Sequence, residues 1–268
     1  MKSDSAISKA RWRLGAVSYL NAKPLIAGLE ADPDIGLILD VPSRLPALLE
    51  AGQVDCALVP VVDLVNPDRH WTIVSDACIG CDGETFTVRV FSREPADVIN
   101  RLHVDGDSHT SVVLAGIIWR ELYGRSLEIV PFRRDESSAD CEAILLIGDK
   151  VVNHAMIEHD IQTDLGAAWK TLTSLPFVFA VWACPPDLPM EALAARLSKA
   201  RDFGEETAAL IAEDLGPGLG WPVELARRYL TKRLCFHLDA AQRMGMRRFF
   251  ELAHKHHLLT VERQPVFA

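Results

Sequence analysis

Between residues 12 and 92 the chain alternates strand and helix signals in the order β-α-β-α-β, and this alternation constrains the fold more than any other feature. "WRLGAV" reads as a strand, "KPLIAGLEA" as a helix opened by Pro24, and "IGLILDV" as a second strand. "PSRLPALLEAGQ" reads as a helix with Ser43 placed to cap it and Gly52 ending it, and "VDCALVP" as a third strand. Strands in this order lie parallel and are joined by right-handed crossovers, which defines an α/β lobe. A similar unit recurs: "INRLHVDGDS" gives a strand and loop, "HTSVVLAGIIWRELYG" a helix ended by Gly124, "LEIVPF" a strand, and "CEAILLIGDKVVN" a strand running into another helix. "TFTVRVFSREPADV" reads as a strand crossing to the second unit and "SLPFVFAVWACPPD" as the strand that returns. From Met190 to His257 the pattern is helical almost throughout, interrupted by "GPGLGWP", with helices free to pack back on the first unit. The expected architecture is therefore two α/β lobes. Residues 1–92 and 184–268 form the first, residues 93–183 the second, inserted into it, and a ligand cleft lies between them.

A chain of 268 residues, 49% of them hydrophobic, is long enough to bury two such cores. Its net charge of −9 is spread along the sequence and argues against nucleic acid or an anionic membrane as a partner. Residues 1–20 lack the apolar stretch and cleavage site of a secretory signal, and no run approaches the ~20 apolar residues that span a bilayer, so a cytoplasmic protein is expected. Of six cysteines, Cys78 and Cys81 form a C-x-x-C without a second pair or a matching His pair, so neither metal nor redox chemistry is expected of them. No phosphate-binding or dinucleotide glycine motif, no G-x-S-x-G and no H-E-x-x-H occurs, and no cofactor is expected. "HKHH" at 254–257 reads as the solvated end of a helix.

The candidate site consists of the polar loops at the strand ends. "VSYLNAKPL" carries Ser18, Tyr19 and Asn21 where a turn needs only one polar residue. "VPSR" offers the Ser43 hydroxyl and the Arg44 charge, while Pro60 and Asp63 in "ALVPVVD" read as turn residues. In "DGDSHTS", Gly106 permits a tight turn, and Ser108, Thr110 and Ser111 crowd a helix start, as a capping turn or as an anion site suited to a carboxylate. Gly148 and Asp149 in "LLIGDK" begin another helix, where capping competes with ligand binding. In "GETFTVRV", Thr85, Thr87 and Arg89 alternate and so share a face, either an exposed sheet face or one turned to the cleft, where Arg89 would grip a carboxylate.

Taken together, "RLGAVSYLNAKPL", "LEAGQVDCALVPVVDLV", "DGDSHTSVVL", "AILLIGDKV" and "LPFVFAVWA" resemble, in sequence and order, the chorismate dehydratase family of the futalosine route to menaquinone. The resemblance runs from Arg13 to the last helix, and "SYLN" distinguishes it from the related dihydroxynaphthoate synthases. It implies a fold similar to the type II periplasmic binding proteins, used as a carbon–oxygen lyase. The implied reaction converts chorismate to 3-[(1-carboxyvinyl)oxy]benzoate and water without metal or cofactor, with the substrate's own enolpyruvyl carboxylate as base. The resemblance makes Asn21 and Thr87 the catalytic positions. It assigns the Ser108, Thr110 and Ser111 cluster to a substrate carboxylate. Glu84, Thr85, Phe86 and His109 depart from the family pattern and put the identity of the substrate in question. The alternative is a cytosolic protein that binds a cyclic or aromatic carboxylate without turning it over. Nothing in the sequence indicates an oligomeric state.

Overall fold

The computed structural model describes residues 10–132, 137–153, 157, 159–186, 190–260 and 263–267. Residues 1–9, on which the reading of the amino terminus partly rests, lie outside the described residues. In the first sheet β1 (Trp12–Val17) pairs in parallel with both β2 (Ile35–Asp40) and β3 (Cys56–Pro60), the arrangement the early alternation demands. Beyond β3 the sheet turns antiparallel, through β10 (Phe177–Cys184) and β4 (Thr72–Cys81) to β11 (Leu234–His237), while β12 (Val266–Phe267) pairs with the start of β4. The second sheet has the order β7-β6-β8-β5-β9, made of β5 (Val88–Ser92), β6 (Arg101–Val104), β7 (Glu128–Pro131), β8 (Ala143–Ile147) and β9 (Ile161–Asp164). Its β6, β7 and β8 are parallel, and β5 runs antiparallel to both of its neighbours.

The chain passes between the sheets in loops, and this differs from the expected crossing strands. Residues 82–87 lead from β4 into β5, which belongs wholly to the second sheet. The return runs through α3 (Leu165–Thr173) into β10, which is central to the first sheet. A strand shared by two sheets would leave backbone groups unpaired at the gap, whereas separate strands satisfy their ladders.

Several helices also differ from expectation. Residues 20–31 form three short 3₁₀ turns instead of one helix, broken by Gly28 at φ +78°. After a 3₁₀ turn at Pro42–Arg44, α1 (Leu45–Glu50) begins without side-chain capping, so Ser43 is not its cap. The segment after β8 is a single 3₁₀ turn, Gly148–Val151. By contrast α2 (His109–Tyr123) matches the sequence reading, with Ser108 as its cap and Gly124 at φ +64° as its stop.

The carboxy-terminal part comprises α4 (Glu191–Glu206), α5 (Ala208–Leu215), α6 (Val223–Arg228), a π-helical turn at Tyr229–Arg233, β11 and α7 (Ala240–Lys255). "LCFH" escapes a helical reading because four residues are too few for a period to show. The α7 end is not merely solvated, since Lys255 and His256 each reach Glu121 of α2 at 2.5 Å and tie the C-terminal helix to the second lobe. Among the described residues no helix is long and apolar enough to cross a membrane.

Gly204 sets how closely α4 lies on the first lobe, because a Cβ there would stand 2.0 Å from the Pro24 carbonyl oxygen. Alanine gains about 1 kcal/mol in helix propensity. The clash is with backbone and forces the helix outward, at a cost of about 1–3 kcal/mol or more. Gly204→Ala is therefore expected to lower the urea midpoint with an unchanged m value. A raised midpoint would show that the contact yields more easily than its distance implies.

Candidate functional site

Between the two sheets lies a cavity, partly open to solvent, whose polar lining is Tyr19, Asn21, Thr85, Thr87, Ser108, Thr110, Ser111 and Tyr229. None of the described residues lining it carries a carboxylate, imidazole, ammonium or guanidinium group. Apolar walls come from residues such as Val17, Ile79, Ile147 and Phe179. The site is thus an uncharged set of hydroxyls and one carboxamide in a largely apolar hollow, which suits a cyclic organic ligand with a few polar substituents.

The loop carrying Asn21 is fastened to the second lobe. Tyr19 donates from its hydroxyl to Asp107 Oδ2 at 2.7 Å, and Lys150 bonds both Asp107 and Asp105. The Tyr19 ring lies against Gly148, where a Cβ would approach Tyr19 Cδ2 to 2.4 Å. Asp149 accepts the Leu20 N–H at 3.2 Å and the Trp221 indole N–H at 2.9 Å. Burial raises the Asp149 pKa above the ordinary carboxylate value, and the hydrogen bonds from Trp221 and Leu20 oppose that rise. In the middle of this loop the Asn21 Oδ1 atom is buried and has no hydrogen-bond partner.

At the start of α2 the three hydroxyls have different tasks. Ser108 Oγ accepts the Ser111 N–H at 3.1 Å and donates to Ser111 Oγ at 2.8 Å, while Thr110 Oγ1 donates to the Phe179 carbonyl at 3.3 Å. With its oxygen accepting from Ser108, Ser111 keeps its own hydroxyl proton for a ligand, beside the unpaired N–H groups of the helix start. Capping therefore occupies the Ser108 hydroxyl and leaves the Ser111 proton unused. His109, on the same turn, points away and bonds Asp63 at 2.8 Å, a hydrogen bond that raises its pKa.

The departing loop at 82–87 folds around one carboxylate. Asp164 accepts the Thr85 N–H at 3.0 Å, the Phe86 N–H at 2.7 Å and the Ala167 N–H at 3.0 Å, so one side chain both holds the loop and caps α3. Phe86 takes φ +69°, a left-handed conformation costly for a bulky residue. Its ring packs beside Trp221 and Tyr229, with centroids 6.0 and 6.4 Å away. Glu84 turns outward to Arg89 at 2.7 Å and Arg233 at 2.9 Å. The loop therefore adds no charge to the cavity, which removes the acidic obstacle that its sequence suggests.

Of the residues singled out in the sequence, Tyr19, Asn21, Thr87, Ser108, Thr110, Ser111 and Gly148 are brought together around the cavity. Ser18, Ser43, Arg44, Arg89 and Asp149 do not line it. Ser43 uses its N–H on the Asp107 carbonyl at 3.2 Å, and Arg44 is an exposed partner of Asp40 at 3.9 Å. Arg89 faces Glu84, Asp164 and Gln162 and stacks over Phe86, with its guanidinium 4.7 Å from the ring centroid. The alternation that put Arg89 with Thr85 and Thr87 fails because β5 begins only at Val88, after a loop containing the left-handed Phe86. Cys78 and Cys81 lie in β4 as buried thiols whose pKa burial pushes up, which keeps them protonated.

The sequence reading missed Tyr229. It stands in the π-helical turn, lines the cavity, bonds Thr87 Oγ1 at 2.6 Å and stacks on Trp221 with centroids 4.8 Å apart. The available signal was a tyrosine and a tryptophan on either side of a short helix after the glycine-rich break, and it is weak without the fold.

Two sheets of this topology around one interlobe cavity define a protein of the periplasmic-binding-protein-like fold. A solved protein from Archaeoglobus fulgidus superposes with a TM-score of 0.71 at 15% identity, over 92% of this chain and 98% of that one. A Candida albicans protein described as having the generic periplasmic binding protein fold superposes with a TM-score of 0.65 at 12% identity, over 94% and 92%. More specifically, the sequence model of the menaquinone biosynthesis family matches residues 12–255, and the chain belongs to that family. Chorismate dehydratase from Thermus thermophilus is similar at 28% identity over 259 residues, covering 89% of this chain and 93% of that protein.

Proposed function

We propose that this protein is a cytoplasmic chorismate dehydratase that removes water from chorismate to give 3-[(1-carboxyvinyl)oxy]benzoate. The observation that carries the proposal is the pairing, in an uncharged cavity, of the partnerless Asn21 Oδ1 acceptor with the Thr87 hydroxyl. A substrate hydroxyl meets both needs, donating to Asn21 and accepting from Thr87. Membership of the menaquinone biosynthesis family and the likeness to the Thermus enzyme support the same reading.

The reaction breaks the C3–H and C4–O bonds of chorismate and forms the ring double bond between them. Among the described lining residues no side chain is a usable base, and burial raises the pKa of Tyr229, keeping its phenol neutral. The proton therefore passes to the substrate's enolpyruvyl carboxylate and leaves with the departing hydroxide as water. What the protein supplies is position. Asn21 and Thr87 hold the leaving hydroxyl, and Ser111 with the α2 start holds a carboxylate. Fixing these groups together is worth about 7 kcal/mol or more in favourable cases.

The test is to incubate metal-free protein with chorismate and follow the aromatic enolpyruvyl ether by chromatography. Product forming above the protein-free rate supports the dehydratase. Intact chorismate with a raised Tm would identify a binder instead. In the same assay Ser111→Ala is expected to raise KM about tenfold or more with little change in kcat, as loss of one hydrogen bond to a charged group predicts. An unchanged KM would remove Ser111 from the carboxylate subsite.

A further inference from the structure

We infer that Asp164 is a positioning residue for the cavity: its single carboxylate clasps both links between the lobes and so fixes where the Thr85 and Thr87 hydroxyls stand. The first link, residues 82–87, gives it two backbone donors, the Thr85 N–H to Oδ1 at 3.0 Å and the Phe86 N–H to Oδ2 at 2.7 Å. The second link begins with α3, whose Ala167 N–H donates to the same Oδ1 at 3.0 Å. Both oxygens are therefore engaged. A carboxamide could replace only one of them, because its nitrogen donates and cannot accept. The links also meet backbone to backbone at this point. A Cβ on Gly166 would stand 2.4 Å from the Gly83 carbonyl oxygen and 2.8 Å from Cys81 Sγ, so no side chain fits between the outgoing loop and the returning helix.

What the clasp holds is a strained turn at the edge of the cavity. Phe86 keeps φ +69°, a conformation that persists in a bulky residue only where several contacts fix it. Its N–H is on Asp164, and its ring meets the Arg89 guanidinium at 4.7 Å and the Trp221 ring at 6.0 Å. Thr85 and Thr87 flank it in sequence, and both are buried and line the cavity. Relaxation of Phe86 to a negative φ would redirect the chain between them and move one hydroxyl relative to the other. Helix capping alone accounts for the bond to Ala167. It does not account for the two bonds to the loop.

The kinetic arm of the test rests on the dehydratase reading, whereas the spectroscopic arm does not. Serine caps a helix about as well as aspartate, so Asp164→Ser keeps the α3 cap while its shorter side chain gives up the loop. In this variant kcat for chorismate is expected to fall about 10- to 10²-fold, as a misplacement of about 1 Å at a reacting centre does. KM should stay within about threefold of wild type, because Ser108 and Ser111 at the α2 start are held by each other and not by Asp164. In the ligand-free protein the ¹³C-methyl signals of Thr85 and Thr87, assigned by their loss in Thr85→Ser and Thr87→Ser, should shift in Asp164→Ser. They should also shift in Asp164→Asn, which keeps one accepting oxygen and serves if the serine variant unfolds. Unmoved methyl signals in the folded variants, or wild-type kcat in Asp164→Ser, would overturn the inference and leave Asp164 a helix cap. A wild-type protein that leaves chorismate unconverted, with the methyl shifts present in the variants, would overturn the dehydratase reading and leave the clasp standing.

Discussion

Replacement of Asn21 by alanine is expected to lower kcat for chorismate by about 10²- to 10³-fold, the loss found when one preorganised group at a reacting centre is removed. Stability should not fall, because the side chain carries a cost in the wild-type protein. The wild-type protein buries Asn21 Oδ1 without a partner, a cost of about 1–3 kcal/mol that the substitution removes. Activity and stability therefore separate at this residue, as expected where a fold retains an unsatisfied group for its ligand. Steady-state kinetics beside a thermal melt checks this. Wild-type turnover would exclude Asn21 from the reaction, and loss of activity together with a collapsed Tm would make it a structural residue.

Gly148→Ala is the second large effect and should act on stability and activity together. The backbone at this position is at φ +61°, which costs a non-glycine residue about 1–2 kcal/mol. The added Cβ would lie 2.4 Å from Tyr19 Cδ2 and 2.7 Å from two further ring atoms. Because the Tyr19 hydroxyl is held by Asp107 at 2.7 Å, the ring cannot step aside without losing that bond, and overpacking of this kind costs about 1–3 kcal/mol. The sum, about 2–5 kcal/mol, is a large part of the 5–15 kcal/mol typical of a folded domain. Urea denaturation should show the loss directly, and turnover should fall because Tyr19 is two residues from Asn21. Adding Tyr19→Ala should recover the part due to the ring contact and leave the backbone part. Full stability in Gly148→Ala alone would show that the loop adapts freely.

How far the site was legible depended on the range of the interaction involved. Ser108, Thr110 and Ser111 stood out because three hydroxyls at one helix start form a local pattern, and capping physics operates within four residues. Asn21 stood out because a turn does not need so many polar side chains. Arg89 was misread for the complementary reason. Its facing depends on where β5 begins, and a shift of one residue moves a strand side chain to the opposite face. Glu84 looked like a charge in the cleft until Arg89 and Arg233, the latter from a distant part of the chain, were seen to neutralise it.

The sequence by itself determined the parallel β1, β2 and β3 lobe, the second α/β unit, and α2 with its cap and its glycine stop. Periodicity, crossover handedness and turn chemistry are properties of short stretches, and they survive without knowledge of the rest. Only the tertiary structure decided that the returning strand β10 takes a central place in the first sheet, between β4 and β3, that the links between lobes are loops, and that Tyr229 reaches Thr87 across 142 residues of chain. Those outcomes come from pairing surfaces far apart in sequence. There the backbone must satisfy its hydrogen bonds and each buried polar group must find a partner, and local residue patterns do not encode which partner it finds.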